Sequence, residues 1–178
     1  MDPARERTDI IATLQAALVP LEQSMSSRLI PPEGASFGFA LRGARDSNGV
    51  AAVRIGMHSG GEVPGAAGPC TFGTDEPAVR AILTALKFDP VIRSAAVLRF
   101  SDRALAVLED DLFLDCASYA PGAQGISTMD WGIASCCKEG VPDVIYEKSS
   151  DKTRARLMVF GEDPADVANN IIICSGRI

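Results

Sequence analysis

The chain has 178 residues, 47% hydrophobic and 22% charged, and a net charge of −6. That length and composition exclude a disordered chain and suit one well-buried domain, being too short for two ordinary ones. The acidic balance offers no positive field to displace counterions from nucleic acid, and no apolar run approaches the roughly 20 residues of a spanning helix, so neither nucleic acid nor membrane is expected as a partner.

The charged N-terminus MDPARERTDI has no signal-peptide core, so the chain is read as cytoplasmic. Residues 5–28 read as an amphipathic helix. Ile10, Ile11, Leu14, Leu18, Leu21 and Met25 recur on one side, and Pro20 is expected to kink the helix or divide it. Residues 1–28 are taken as a helical segment packed on a domain of residues 29–178. From Ser36 the pattern changes to short strands over 36–41, 50–57, 62–66 and 69–72, separated by turn residues and spaced like hairpins. Further on, a helix over 75–88, strand 95–100, helix 102–111, strand 112–118 and helix 128–139 follow. Ser101 is the expected cap of the second helix and Ser127 or Thr128 that of the third. Strands over 143–148 and 156–160 precede a last helix, 164–175, opened by Asp163-Pro164. Strands arriving partly as hairpins predict a mixed sheet in one α/β domain.

The stretch from Cys70 to Phe100 carries the clearest chemistry. Gly73 permits a sharp turn, Thr74 or Asp75 is placed to cap the helix that follows, and Pro77 falls in its first turn. Val79, Ile82, Leu83 and Leu86 give that helix one apolar face. A helix opening just after a strand points free N–H groups beyond the sheet edge, which suits a phosphate. Arg80, Arg93 and Arg99 would add guanidinium groups that bind phosphate oxygens in pairs; the plainer reading is a capped helix with surface arginines.

Cysteines 70, 116, 136, 137 and 174 form no CxxC pair, and their odd number argues against a disulfide framework. They are read as buried, inert thiols. The chain holds one histidine, His58, placed in a turn between strands and read as solvated there, the alternative being that its hairpin folds over a site. No carboxylate cluster marks a dedicated metal site.

Several stretches resemble one family in order and spacing: FGFALRGARDSNGVAAVRI, FGTDEPAVRAIL, KFDPVIRSAAVLRF, STMDWG, GVPDVIYEK and VFGEDPADV. They are similar to the ThiN-type thiamine-phosphate synthase domain over about four-fifths of the chain, from Leu29 onward. The resemblance implies a three-layer α/β/α fold of the class II aldolase-like (AraD-like) type, with a mixed, largely antiparallel sheet, often assembled as a homodimer. It also implies the joining of hydroxymethylpyrimidine diphosphate to hydroxyethylthiazole phosphate, giving thiamine phosphate and diphosphate. No covalently bound cofactor is implied; Mg²⁺ is plausible with the diphosphate. Related chains carry this domain fused to a pyrimidine kinase or a helix-turn-helix. With about thirty residues ahead of the match, neither is expected here.

Site residues follow from the matched motifs. Arg54 corresponds to the arginine of the family's GRI strand and is the first choice for contacting the leaving diphosphate, against the alternative of a half-exposed strand arginine. Gly73, Thr74, Asp75, Arg80, Asp89, Arg93 and Arg99 complete the expected phosphate-binding set, with Asp89 read equally as the turn acceptor before Pro90. The departures are local. The family loop FGASSHVAR reads FGTDEPAVR, so Pro77 stands at the histidine expected to act in catalysis, while Asp75 and Glu76 bring negative charge. Val97 and Ser36 replace asparagines, and YEKSSDKTRARLM loses the glycines and Lys-Glu-Pro of the family's loop, with Lys152 and Arg154 as loose substitutes. A thiamine-phosphate-binding module without turnover, or a domain kept for assembly, therefore stands beside the synthase reading. Trp131 is read as core packing at a helix start, or as a probe near the site.

Overall fold

In the computed structural model, residues 2–58, 63–120, 128–149, 151 and 154–178 are described. Helix α1 spans Pro3–Ser24 without interruption at Pro20 and is capped by Asp2, which accepts a hydrogen bond from the Ala4 N–H. It stops before the expected residue 28. Met25 turns extended, and a single 3₁₀ turn at Ser27–Leu29 leads into the sheet.

The eight strands are β1 (Ala35–Ala40), β2 (Val50–His58), β3 (Val63–Ala66), β4 (Thr71–Phe72), β5 (Ser94–Arg99), β6 (Cys116–Tyr119), β7 (Val144–Glu147) and β8 (Arg156–Gly161). They form one sheet in the order β3-β2-β1-β5-β8-β7-β6, with β4 beside β2. Every pairing is antiparallel except β6 with β7, so the sheet is mixed and largely antiparallel. The strand expected over 112–118 forms late. A five-residue π-helical turn at Val107–Asp111 extends α3 (Asp102–Ala106), and Phe113 adopts a φ of 55° before β6 begins.

Helices α2 (Pro77–Leu86), α4 (Thr128–Cys136) and α5 (Pro164–Ser175) complete the chain. Strand alternation divides the sheet residues between two cores. Phe37, Phe39, Val53, Ile55, Leu98 and Leu157 face α1, α3 and α5, while Val50, Ala52, Val97, Met158 and Phe160 face α2 and α4. Helices therefore cover both faces of the sheet, a three-layer α/β/α sandwich. Helix α1 is part of the first core through Leu14, Leu18 and Leu21, and packs along α5. Helix α4 ends at Cys136, three residues early, and the caps expected from Ser127 and the Thr128 side chain lie outside the described residues. Among the described residues no helix is long and apolar enough to cross a membrane.

Candidate functional site

The start of β1 and the end of β2 place Ser36 opposite Arg54, and β5 brings Val97 opposite Ser36. All three face α2. The aliphatic stem of Arg54 lies across Gly34, whose φ is +97°; a Cβ there would come within 2.9 Å of Arg54 Cγ. Glycine thus lets the turn form and lets the arginine cross it. The Arg54 guanidinium reaches the Glu76 carboxylate, with Nη2 3.1 Å from Oε1 and Nε donating to Oε2 at 3.3 Å.

The first turn of α2 differs from expectation. Its N-cap is Glu76, with no side-chain cap from that residue, and neither Thr74 nor Asp75 caps it. The Ser36 hydroxyl supplies the missing acceptor from β1, taking the Ala78 N–H at 2.8 Å. Val79 and Arg80 donate to the Glu76 carbonyl at 2.9 and 3.4 Å, Pro77 has no N–H, and Gly73 N–H donates to Ser47 O at 2.9 Å. The helix mouth that the sequence offers to a phosphate is therefore occupied by the protein's own acceptors. The physical reason is register: the helix begins two residues after Asp75, and the strand beneath it carries a short hydroxyl at contact distance.

Beyond the Ser36–Val97 row, Arg99 of β5 stands opposite Arg156 of β8. Arg156 is ion-paired to Glu33, whereas half-buried Arg99 has no ion-pair or hydrogen-bond partner among the described residues. Glu147 ends β7 one step past the Tyr146–Leu157 pair and accepts the Tyr119 hydroxyl at 2.9 Å. Burial first, then the Glu147 carboxylate, pushes the Tyr119 hydroxyl above its usual range, so it stays a donor. Helix α4 rests on this tyrosine at Gly132 and presents Asp130 to Arg80, at 3.4 Å. Two buried oxygens here, Thr74 Oγ1 and Asp130 Oδ1, lack hydrogen-bond partners among the described residues. Unsatisfied buried oxygens of this kind are uncommon in folded proteins and suit a polar ligand.

This end of the sheet gathers Arg54, Arg80 and Arg99, with Thr74 and Asp75 leading into the helix start, but not Gly73, which follows the Phe72–Ala51 pair and bonds Ser47 ahead of β2. It does not gather Asp89 and Arg93. Asp89 lies after the C-terminal end of α2 and accepts the Val91 N–H at 3.2 Å. Arg93 precedes β5, donating from Nε to Ala40 O at 3.0 Å with its guanidinium 4.7 Å from the Phe39 ring centre. Four residue steps along β1 separate that position from the Ser36 row, about 13 Å at the usual rise. Trp131 is 58% exposed and not a core residue: the adjacent Gly132 and Ile133 take the inward positions of α4. His58 closes β2, and its side chain lies outside the described residues, as does Lys152; Arg154 pairs with Asp151 on the surface at 3.6 Å. All five cysteines are free thiols, and no group of three or more His, Cys, Asp or Glu among the described residues is arranged to hold a metal.

Sequence reasoning missed Arg156, Glu33, Tyr119, Glu147 and Asp130. One signal was available. Arg156 and Glu147 are charged residues at the ends of otherwise apolar strand runs, where alternation places them on the face shared with Arg99. Nothing in the sequence pairs Glu33 with a residue more than a hundred positions away.

The family model described as thiamine-phosphate synthase ThiN matches residues 13–173, beginning within α1. The bifunctional thiamine biosynthesis protein ThiDN of Methanocaldococcus jannaschii is 28% identical over 167 residues; that match covers 91% of this chain and 39% of the relative. The crystal structure of the C-terminal domain of a phosphomethylpyrimidine kinase superposes with a TM-score of 0.82 at 28% identity, covering 94% of this chain and 99% of that one. L-fuculose-1-phosphate aldolase from Thermus thermophilus shares the fold, with a TM-score of 0.53 at 13% identity over 93% of this chain and 92% of the aldolase.

Proposed function

This chain belongs to the thiamine-phosphate synthase ThiN family, and on that premise we propose that it joins hydroxymethylpyrimidine diphosphate to hydroxyethylthiazole phosphate at the Arg54–Arg99 end of the sheet. The observation that carries the reading is Arg99, a half-buried guanidinium with no ion-pair partner among the described residues, in a row with the Glu33-bound Arg156. A desolvated cation without a counter-ion gains most from an arriving phosphate.

In the reaction the thiazole nitrogen lone pair forms a C–N bond to the pyrimidine methylene. The methylene C–O bond breaks, and its electron pair leaves on diphosphate. No proton moves in that exchange, so Pro77 at the histidine position does not by itself forbid it. What the site must supply is charge compensation for the departing diphosphate. Arg99 takes this role directly, and Arg54 joins it by exchanging Glu76 for the incoming anion. Among the described residues no group of three or more His, Cys, Asp or Glu is arranged to hold a metal, and in this proposal Mg²⁺ arrives with the diphosphate substrate. We extend the proposal to a homodimer, to be checked by light scattering as twice the chain mass.

The test is a single-turnover assay with protein in excess over both substrates and Mg²⁺, reading thiamine phosphate by its oxidised fluorescence. Product above the no-protein control, falling about 100-fold in Arg99→Ala and in Arg54→Ala as for loss of one charge-stabilising donor, supports the synthase. Both variants should keep wild-type stability within about 1 kcal/mol, since both side chains are partly exposed. A second reading, binding without turnover, is favoured by Glu76 on Arg54 and by the occupied amides of α2. It predicts no product together with a thermal shift by thiamine phosphate. Neither product nor shift at millimolar ligand overturns both, because a ligand specific for the folded state must raise its stability.

A further inference from the structure

At the opposite end of the sheet four cations converge around Pro90. Arg42 and Arg45 lie in the β1–β2 connection, and Lys87 and Arg93 in the connection from α2 to β5. Among the described residues none of the four has an ion-pair partner, whereas Arg54, Arg80, Arg154, Arg156 and Arg177 all do. Acidic side chains are also present at this end: Asp46 accepts the Asn48 N–H, Asp89 accepts the Val91 N–H, and Glu162 lines the same small cavity as Arg42 and Arg93, but none of them forms an ion pair with the four cations.

Two cavities have Pro90 in their walls. One, of about 180 Å³, is lined by Arg42, Arg93, Val91 and Glu162. The other, of about 340 Å³, is lined by Leu83, Leu86 and Ala44, with Arg45 and Lys87 at its edge. The larger one falls within the range of roughly 300–1,000 Å³ common to small-molecule sites. Arg93 is fixed in advance: its Nε is committed to Ala40 O and its plane lies over Phe39, so its two amino groups are held for a ligand at little cost in side-chain entropy. Burial and then the neighbouring Arg42 guanidinium lower its pKa, with Glu6 opposing. An anion between the two guanidinium groups would relieve that repulsion. Val91, 48% exposed, and Phe88, 44% exposed, add apolar surface beside the charges.

We propose that this end of the domain is a second ligand site, separate from the Arg54–Arg99 end, for a small phosphate ester. Its phosphoryl group sits between Arg42 and Arg93, and its apolar body lies over Pro90 against Leu83 and Leu86. The site stands whether or not the Arg54–Arg99 end carries out the synthase reaction.

The test is an amide NMR titration of the full chain with phenyl phosphate, with inorganic phosphate alongside. Saturable shifts at residues 42–45 and 87–93 are expected, weakened at least about tenfold in the exposed-residue variant Arg42→Gln/Arg45→Gln, as for loss of charge-assisted hydrogen bonds. Arg99→Ala should leave this binding unchanged, and the Arg42/Arg45 variant should leave single turnover unchanged. Inorganic phosphate should bind more weakly than phenyl phosphate; equal affinity overturns the apolar half of the site. Shifts confined to residues around Arg54 and Arg99, shifts unaffected by the Arg42/Arg45 variant, or no shifts at millimolar phenyl phosphate overturn the second site.

Discussion

Gly132 lies where α4 crosses the Tyr119 ring, and a Cβ built on it would stand 2.3 Å from two ring carbons and 2.5 Å from Cγ. In an unencumbered helix Gly→Ala stabilises by about 1 kcal/mol through propensity alone. Here the sign reverses. Tyr119 is 5% exposed and its hydroxyl is tied to Glu147, so the ring has no free direction in which to retreat. Either α4 lifts from the sheet, at the roughly 1–3 kcal/mol typical of overpacking, or the ring turns and forfeits a charge-assisted hydrogen bond of about 1.5–3 kcal/mol. After the propensity gain, Gly132→Ala should destabilise by about 1 kcal/mol. For a chain of this size that lowers Tm by roughly 2–4 °C. Urea denaturation measures it directly, and a cycle with Tyr119→Leu isolates the contact. Removing the ring should make the alanine tolerable, giving an interaction of at least about 1 kcal/mol. A destabilisation below about 0.5 kcal/mol, or simple additivity, would refute this account of how α4 is seated.

Ser36→Ala should cost about 1–3 kcal/mol, because it leaves the fully buried Ala78 N–H without its acceptor; an unchanged urea midpoint would mean that α2 is capped in some other way. The cysteines should react slowly with a thiol reagent at pH 8 in the native state and all at once in urea. Burial pushes Cys137 and Cys174 up to about 11, and burial followed by nearby Glu109 and Asp115 pushes Cys116 up to about 12. The same shifts make stability fall with rising pH. Between about 9 and 11 the unfolded chain releases thiol protons that the folded chain retains, so urea midpoints should drop across that window. A rise there would contradict the burial of these thiols.

The order of elements was written in the sequence because hydrophobic periodicity and turn residues are local signals. The α1 stripe, the hairpin-spaced strands and the Asp163-Pro164 helix start each depend on neighbours a few positions apart. So, by motif, was the family. What went astray locally was also local in cause. Pro20 did not break α1, whose apolar face is held by the core, and Phe113 in a left-handed conformation delayed β6. The site was legible only in part. Arg54 and Arg99 fall on the α2 side because strand alternation puts them there. Whether an arginine is free or neutralised, though, depends on acids brought across the sheet or from another loop, and only the tertiary structure sets Glu76 on Arg54, Glu33 on Arg156 and, among the described residues, no acid on Arg99. It likewise gave the cap of α2 to Ser36 on a neighbouring strand. Arg93 and Asp89 lie at the opposite end of the sheet because they follow the C-terminal end of α2, about 15 Å along its axis from the first turn.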